Sequence, residues 1–434
     1  MENINTIKLK IILGVCFLIR LIGIDQSMWL DEAISVKVAK MPINTIISSF
    51  SISDFHPPLY YLFLNFWVKI FGDSVTVMRL SSVIFSLVVI WLVYKIGKEL
   101  KNEKTGLWAA VLVGLNPLIM YFSQELRMYG LVTMFLTGAF YFLIKKKYVW
   151  FNILVFLSFL TFYGSIFFIG AMLLYFLVNK KIKLFLINSI GIILAILVVS
   201  TLLLIQLKYS GNMLNEVINW GLVLGKVNLK NLLLIPLKFC IGKISWYPKL
   251  FYYGVSGIWT LIVFGLAAVK MIKNKMLSFL LITPIILGII FSIKSPLLQY
   301  FRFIYLVPVL ALLLANLKSI KIKSGLVLGF LIFSLIYLIN PNMHREDWKS
   351  LTTNLNTNQN VYMIGSFADP IKYYNSEIKI KDFKTIKPVE NEIVVIPYGQ
   401  EIHGLNMTDE LVKLDYKKIN EKNFREIKLE TWKK

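Results

Sequence analysis

Long apolar runs with short clusters of lysines recurring between them fill residues 1–340 of this chain. Such runs read as helices that cross a bilayer, because about 20 helical residues span the hydrocarbon and pair every backbone group internally. Eleven spans are predicted, near 7–24, 77–97, 105–122, 126–144, 148–163, 164–178, 183–206, 251–270, 276–293, 298–316 and 323–340. The lysine clusters are Lys95 to Lys104, Lys145-Lys146-Lys147, Lys180 to Lys183, Lys270 to Lys275 and Lys318 to Lys323. Placing all of them on the cytoplasmic side threads the chain consistently, with the N-terminus inside and the last domain outside. Two short passes between residues 148 and 178 are needed to keep the parity.

Parity also decides how His56 to Gly72 reads. Counted as a span, this apolar segment would move Lys95 to Lys104 outside, and it is short for a crossing. It is expected to lie in the outer interface, within one long outer loop over residues 25–76. A second outer loop is expected over 207–250. It carries six lysines against Glu216, either because long loops translocate regardless of charge or because the surface meets an anionic lipid or glycan. After Asn340 the pattern changes to short alternating runs: a strand over 360–365, a helix from Asp369-Pro370, and a strand over 392–397. Residues 341–434 therefore read as a small α/β domain outside the membrane, an accessory cap or acceptor-facing unit. The fold class is a polytopic α-helical membrane protein, with residues 1–340 forming the membrane domain.

Composition agrees. Of 434 residues, 57% are hydrophobic, and the mean hydropathy is +0.68. Lys8 and Lys10 precede the first apolar run and no small-residue cleavage site follows it, so a retained helix is expected rather than a signal peptide. The net charge of +23 belongs almost entirely to residues 1–340, which hold 32 Lys and Arg against 10 Asp and Glu. Positive loops beside spans are what topology requires, so the charge calls for no nucleic-acid partner. Cys16 and Cys240 suggest no disulfide. Three histidines with no Cys/His cluster assign no metal; the cofactor is left open, with a divalent ion compatible.

Against that background the polar residues at the outer ends of spans stand out. Asp31 and Glu32 are adjacent just after the first span, where carboxylates near lipid are costly. The membrane half has 28 Lys but only four Arg (Arg20, Arg79, Arg127 and Arg302), and every Arg falls at an outer end. Arginine's planar fork matches phosphate and carboxylate, so the set reads as a site for an anionic ligand or for carboxylate pairing. Arg20 is the one most simply read as snorkelling to headgroups. A second cluster, Ser123-Gln124-Glu125-Leu126-Arg127-Met128-Tyr129, opens the span near 126, where Ser123 could cap a helix and Glu125 suit its dipole. A carboxylate that takes a proton from a hydroxyl, beside cations that hold a phosphate leaving group, is what glycosyl transfer from a lipid phosphate needs.

At these residues the chain resembles the GT-C glycosyltransferases, in particular the protein O-mannosyltransferase-like group that includes the lipid A aminoarabinose transferase. The matching stretches are Trp29-Leu30-Asp31-Glu32-Ala33, His56-Pro57-Pro58-Leu59-Tyr60-Tyr61, Phe71-Gly72 through Arg79-Leu80, Ser123-Gln124-Glu125 with Arg127-Met128-Tyr129, Arg302-Phe303 with Pro308, and Arg345-Glu346-Asp347-Trp348. The resemblance implies a polyprenyl-monophosphate sugar donor, a hydroxyl acceptor on a lipid, glycan or protein, and inverting displacement at the outer face of the plasma membrane. It implies Asp31 as general base, Glu32 as its companion and Glu125 as the second acidic motif. Arg127 and Arg302 would hold the donor phosphate, with Gln124, Tyr129 and Tyr60 beside them. Arg79 would brace the first loop, and His56 with its two prolines would shape the pocket. Relatives often carry His-Tyr where this chain has Phe162-Tyr163, so a role for that imidazole does not carry over. The alternatives are a lipid-linked glycan transporter, against which the scarcity of mid-span charge speaks, and a non-catalytic scaffold that binds lipid-linked sugar.

Overall fold

The computed structural model describes residues 4–386 and 390–434. Helix covers each of the eleven predicted stretches. Among the described residues, five helices are long and apolar enough to cross a membrane by themselves: Val75–Leu100, Ile182–Leu214, Lys249–Met271, Lys275–Ser292 and Ile320–Ile339. The pair Glu103–Gly114 and Pro117–Ser123 makes a sixth if counted as one span bent by 63°. By length and composition alone five or six helices among the described residues qualify as full spans, so the count of eleven crossings stays an expectation. The shorter apolar helices include Tyr129–Ile144, Tyr148–Thr161 and Tyr163–Val178. Large apolar side chains such as Leu197, Val198 and Leu261 remain on the outside of this bundle, as a lipid-facing surface requires.

The bend between Gly114 and Pro117 has a local cause. Pro117 has no N–H to continue the ladder and sits in the first turn, where none is needed. The Asn116 carbonyl caps that new turn, accepting from Leu118 N at 3.0 Å and Ile119 N at 3.2 Å. Its amide nitrogen meanwhile donates to Phe239 O at 2.8 Å. The redirected helix carries the chain into Gln124-Glu125-Leu126-Arg127 at the predicted outer end. Helices Val75–Leu100 and Glu103–Gly114 touch almost backbone to backbone: a Cβ on Gly106 would lie 2.5 Å from the Tyr94 carbonyl oxygen.

The first outer loop is mostly helix. Leu30–Ala39 follows Trp29, an irregular helix spans Ile43–Ser53, and Pro57-Pro58 leads into Leu59–Phe71. That last helix has 13 residues and ends at Gly72 (φ 88°), whose N–H still reaches Val68 O. The second expected loop, 207–250, also contains helix: Ile182–Glu216 continues as one helix past residue 206, and Trp220–Leu224 and Leu229–Ile241 follow. The last of these buries Ile235, Phe239, Cys240 and Ile241.

Beyond Asn340 lies the small α/β unit. Strands β1 (Val361–Met363), β2 (Ile380–Asp382), β3 (Glu392–Val395), β4 (Lys417–Phe424) and β5 (Ile427–Lys433) form one sheet in the order β2-β1-β3-β5-β4. β1 runs parallel to β2 and β3, and the β4-β5 hairpin is antiparallel. Its core holds Trp348, Val361, Met363, Ile371, Val395 and Trp432. Leu30, from the first outer loop, packs against this same core. Polar links reinforce the seam: Met28 N donates to the Tyr374 hydroxyl at 2.7 Å, Tyr373 donates to Asp73 O at 2.9 Å, and Lys37 pairs with Asp369 at 2.9 Å. The domain thus grips the residues on either side of Asp31.

Candidate active site

Asp31 and Glu32 share the first helical turn after Trp29, about 100° apart around the axis, and that offset sends them to different surroundings. Glu32 turns inward and is fully buried. Its carboxylate meets Arg79 in a two-point pair, Nε to Oε1 at 2.9 Å and Nη2 to Oε2 at 2.5 Å. Oε1 also accepts from Leu126 N at 2.8 Å and Oε2 from Trp29 N at 3.4 Å. Arg79 uses its remaining donors on the carbonyls of Ile24, Gln26 and Ser27. Glu32 therefore ties the first loop to the loop at residue 126, the position of a structural companion to Asp31. Arg79 braces that loop as expected and has no donor left over for a substrate.

Asp31 points the other way. It is about one third exposed and pairs with Arg127, Oδ2 to Nη1 at 3.2 Å. Arg127 is nearly buried and its Nε has no hydrogen-bond partner. The groups within electrostatic reach of Arg127 include Tyr60, Tyr61, Tyr129 and Arg302. The Tyr60 hydroxyl is buried without a partner, and burial holds its proton firmly in place. Tyr129 sits edge-on to Phe122, Phe162 and Phe301 at centroid distances of 5.1, 5.8 and 5.3 Å. Arg302 lies beside Phe301 and donates to Leu224 O at 3.2 Å. Phe162 also stacks on His56 at 6.3 Å.

His56 is held by Asp54, whose Oδ1 lies 3.2 Å from Nδ1. Burial works to raise the Asp54 carboxyl, but His56 and Arg127 together hold it below the usual range. The other Asp54 oxygen is buried and unpaired. Among the described residues no three His, Cys, Asp or Glu side chains converge as a metal would require.

Glu125 is buried behind Asp31, with Oε2 unpaired. Burial pushes its carboxyl up to about 7, against the lowering pull of Arg345 and Lys243. Gln124 departs from the expectation of a substrate contact. Its amide nitrogen donates to the carbonyls of Arg20 at 2.8 Å and Ile22 at 2.7 Å, joining this loop to the end of the first helix. Arg20 also departs: far from snorkelling, it is fully buried and donates to Ser86 Oγ, Cys16 O and Gly114 O. So all four arginines converge on one end of the bundle, two as internal braces and two lining the Asp31 side.

Lys243 and Arg345 were not singled out from the sequence. Lys243 was one of six lysines in a basic stretch, and Arg345 was only part of a matching motif. The structure brings both over the Trp29 ring, beside Glu125. No local spacing signals this, because the two come from positions about 100 residues apart and from either side of the last membrane helices.

The helical bundle, the first loop bearing an acidic pair and the small α/β unit together make a fold shared with a solved membrane protein. Residues 55–205, about a third of the chain, match the family model described as dolichyl-phosphate-mannose-protein mannosyltransferase. The fold is similar to that of ArnT from Cupriavidus metallidurans in the apo state, with 10% identity, a TM-score of 0.59, and 97% of each chain covered. It is equally similar to the same protein bound to undecaprenyl phosphate, with 9% identity, a TM-score of 0.58 and 97% of each chain covered. By sequence alone, no curated protein matches the chain.

Proposed function

We propose that the protein transfers a sugar from a polyprenyl-monophosphate donor to a hydroxyl acceptor at the outer face of the plasma membrane. The observation that carries this reading is the division of labour in the acidic pair: Glu32 is sealed, while Asp31 is accessible and sits against Arg127. Asp31 accepts the proton of the acceptor hydroxyl as that oxygen bonds to the anomeric carbon from the face opposite the phosphate. The carbon–oxygen bond to phosphate breaks, and its electron pair leaves on the phosphate, so the anomeric configuration inverts. Arg127, with its unpaired Nε, and Arg302 offset the charge that develops on the leaving group. Tyr60 supplies a further donor, while Tyr129 and Phe162 wall the site with apolar surface. His56, steadied by Asp54, shapes the entrance from the interfacial helix.

The match to a mannosyltransferase family and the fold shared with a protein captured with undecaprenyl phosphate support a lipid-phosphate donor. The test is transfer or release of sugar from a panel of polyprenyl-monophosphate sugars by purified protein, comparing wild type with Asp31→Asn. Turnover that disappears in the variant identifies a transferase with Asp31 as base. Donor binding without turnover in wild type, unchanged in the variant, would instead favour a transporter or scaffold.

A further inference from the structure

Behind Asp31, a group of hydrogen-bond donors converges that the reaction above does not use. The Arg345 guanidinium lies flat on Trp29, 3.6 Å from the ring centroid, and its Nε donates to the Tyr121 hydroxyl at 2.9 Å. Lys243 Nζ donates to that same hydroxyl at 3.3 Å and lies 5.7 Å from the Trp29 ring centroid and 5.3 Å from that of Tyr121. Both groups are seated on aromatic faces, which holds the Arg345 charge without neutralising it, while burial and the neighbouring Arg345 lower the Lys243 amine to about 7. Neither forms an ion pair with a carboxylate among the described residues. The terminal nitrogens of Arg345 have no protein hydrogen-bond partner there either.

The Tyr121 oxygen already accepts two charge-assisted bonds, so its own proton remains to be donated. The Trp29 indole N–H is buried with no acceptor. The carboxylates that face this group are Glu125, Glu346 and Glu426. Glu346 Oε1 is engaged by the Tyr398 hydroxyl at 2.9 Å while its Oε2 is buried and unpaired, and burial favours the neutral form of Glu125. The Arg345 guanidinium, the Lys243 amine, the Tyr121 hydroxyl proton and the Trp29 indole N–H thus share one small region, and the Trp29 N–H is buried without an acceptor. That is the donor set of an anion site, and a buried donor without an acceptor is costly enough to call for one.

We propose that Trp29, Tyr121, Lys243 and Arg345 form a second anion subsite, which takes a phosphate or carboxylate borne by the acceptor. The assignment rests on the donor phosphate being held by Arg127 and Arg302. With that place filled, an anion against Trp29 belongs to the other substrate. Trp29 immediately precedes the helix that carries Asp31, so an anionic group bound there sets the acceptor two residues from the base. The transferase then selects hydroxyl acceptors that carry a nearby acidic group.

The experiment is calorimetric titration of the full-length protein in detergent with inorganic phosphate, and separately with undecaprenyl phosphate. Wild type should bind phosphate at two sites. Arg345→Gln and Lys243→Gln should each weaken one of them by roughly 10- to 100-fold, the loss of a charge-assisted bond, while undecaprenyl phosphate binds unchanged. Arg345→Lys, which keeps the charge over Trp29, should retain most of the affinity and shows that the fold survives. Two results would overturn the proposal: phosphate binding that neither variant alters, or undecaprenyl phosphate binding lost in Arg345→Gln, which would make this the donor's own phosphate site. Asp31→Asn keeps the transferase reading separate. If it retains full transfer while the two phosphate sites persist, the catalytic assignment fails and the subsite stands.

Discussion

Neutralising each member of the acidic pair should give opposite phenotypes. In Glu32→Gln, the Arg79 charge stays buried, but the carboxylate that takes two of its bonds is gone, and the new amide N–H₂ faces Arg79 donors. Arg79 is 2% exposed and cannot turn to water, since its other nitrogens are fixed to the Ile24, Gln26 and Ser27 carbonyls. Removing one partner of such a pair costs about 3–5 kcal/mol. A domain of this size should lose several degrees in its unfolding midpoint. Asp31→Asn removes only a 3.2 Å contact from a carboxylate that is one third exposed. It should change the midpoint little, because partly solvated pairs contribute about 0–1 kcal/mol. It should nonetheless abolish sugar transfer. The assay is thermal unfolding in detergent at one scan rate, run beside transfer measurements on the same preparations. A double variant, Glu32→Leu with Arg79→Met, should recover much of the lost stability, because apolar groups replace a buried pair at little net cost. The reasoning is refuted if Glu32→Gln melts with wild type while transfer is lost, since Glu32 would then act chemically.

Three further outcomes follow from the same geometry. Glu125 has a folded pKa raised from 4.5 to about 7, so the folded state binds the extra proton and stability should fall as pH rises between those values. Glu125→Gln should flatten that slope and gain on wild type above pH 7, read from unfolding midpoints across pH. Gly106→Ala places a methyl 2.5 Å from the Tyr94 carbonyl oxygen and should destabilise by about 1–3 kcal/mol, seen as a lower midpoint with the donor affinity of surviving protein unchanged. Leu30→Asp puts a charge into the core of the α/β domain and should raise proteolytic cleavage near residue 340 and lower transfer, by freeing the helix that carries Asp31. Unaltered cleavage in this variant would mean that the domain is held by its polar links alone.

Much of the architecture follows from the sequence by itself. Apolar runs of helical length, lysines between them and the change of pattern after Asn340 give a helical membrane bundle with a small α/β unit, because burial in lipid permits few other solutions. The strands at Val361–Met363 and Glu392–Val395 were legible from their apolar residues, whereas the β4-β5 hairpin is mostly exposed and polar on β4, with little period to read. The helix Leu229–Ile241 inside the second loop was not legible because its lysines interrupt the apolar face that buries Ile235 and Phe239.

The acidic pair, the four outer arginines and the Gln124 to Tyr129 cluster are likewise visible in the chain. What each of them does was decided by tertiary structure alone. Asp31 and Glu32 are neighbours of the same charge, and only the packing of the Val75–Leu100 helix, which delivers Arg79 to one side, makes Glu32 a brace and leaves Asp31 accessible. Gln124 and Arg20 read as surface groups until the first helix and the bend at Pro117 bring their partners within 3 Å. Lys243 and Arg345 become a pair only where the ends of distant helices meet over Trp29. Local pattern reports how each segment partitions between lipid and water. Pairing between residues tens to hundreds of positions apart is a property of the packed chain, and it sets which charge is sealed and which can react.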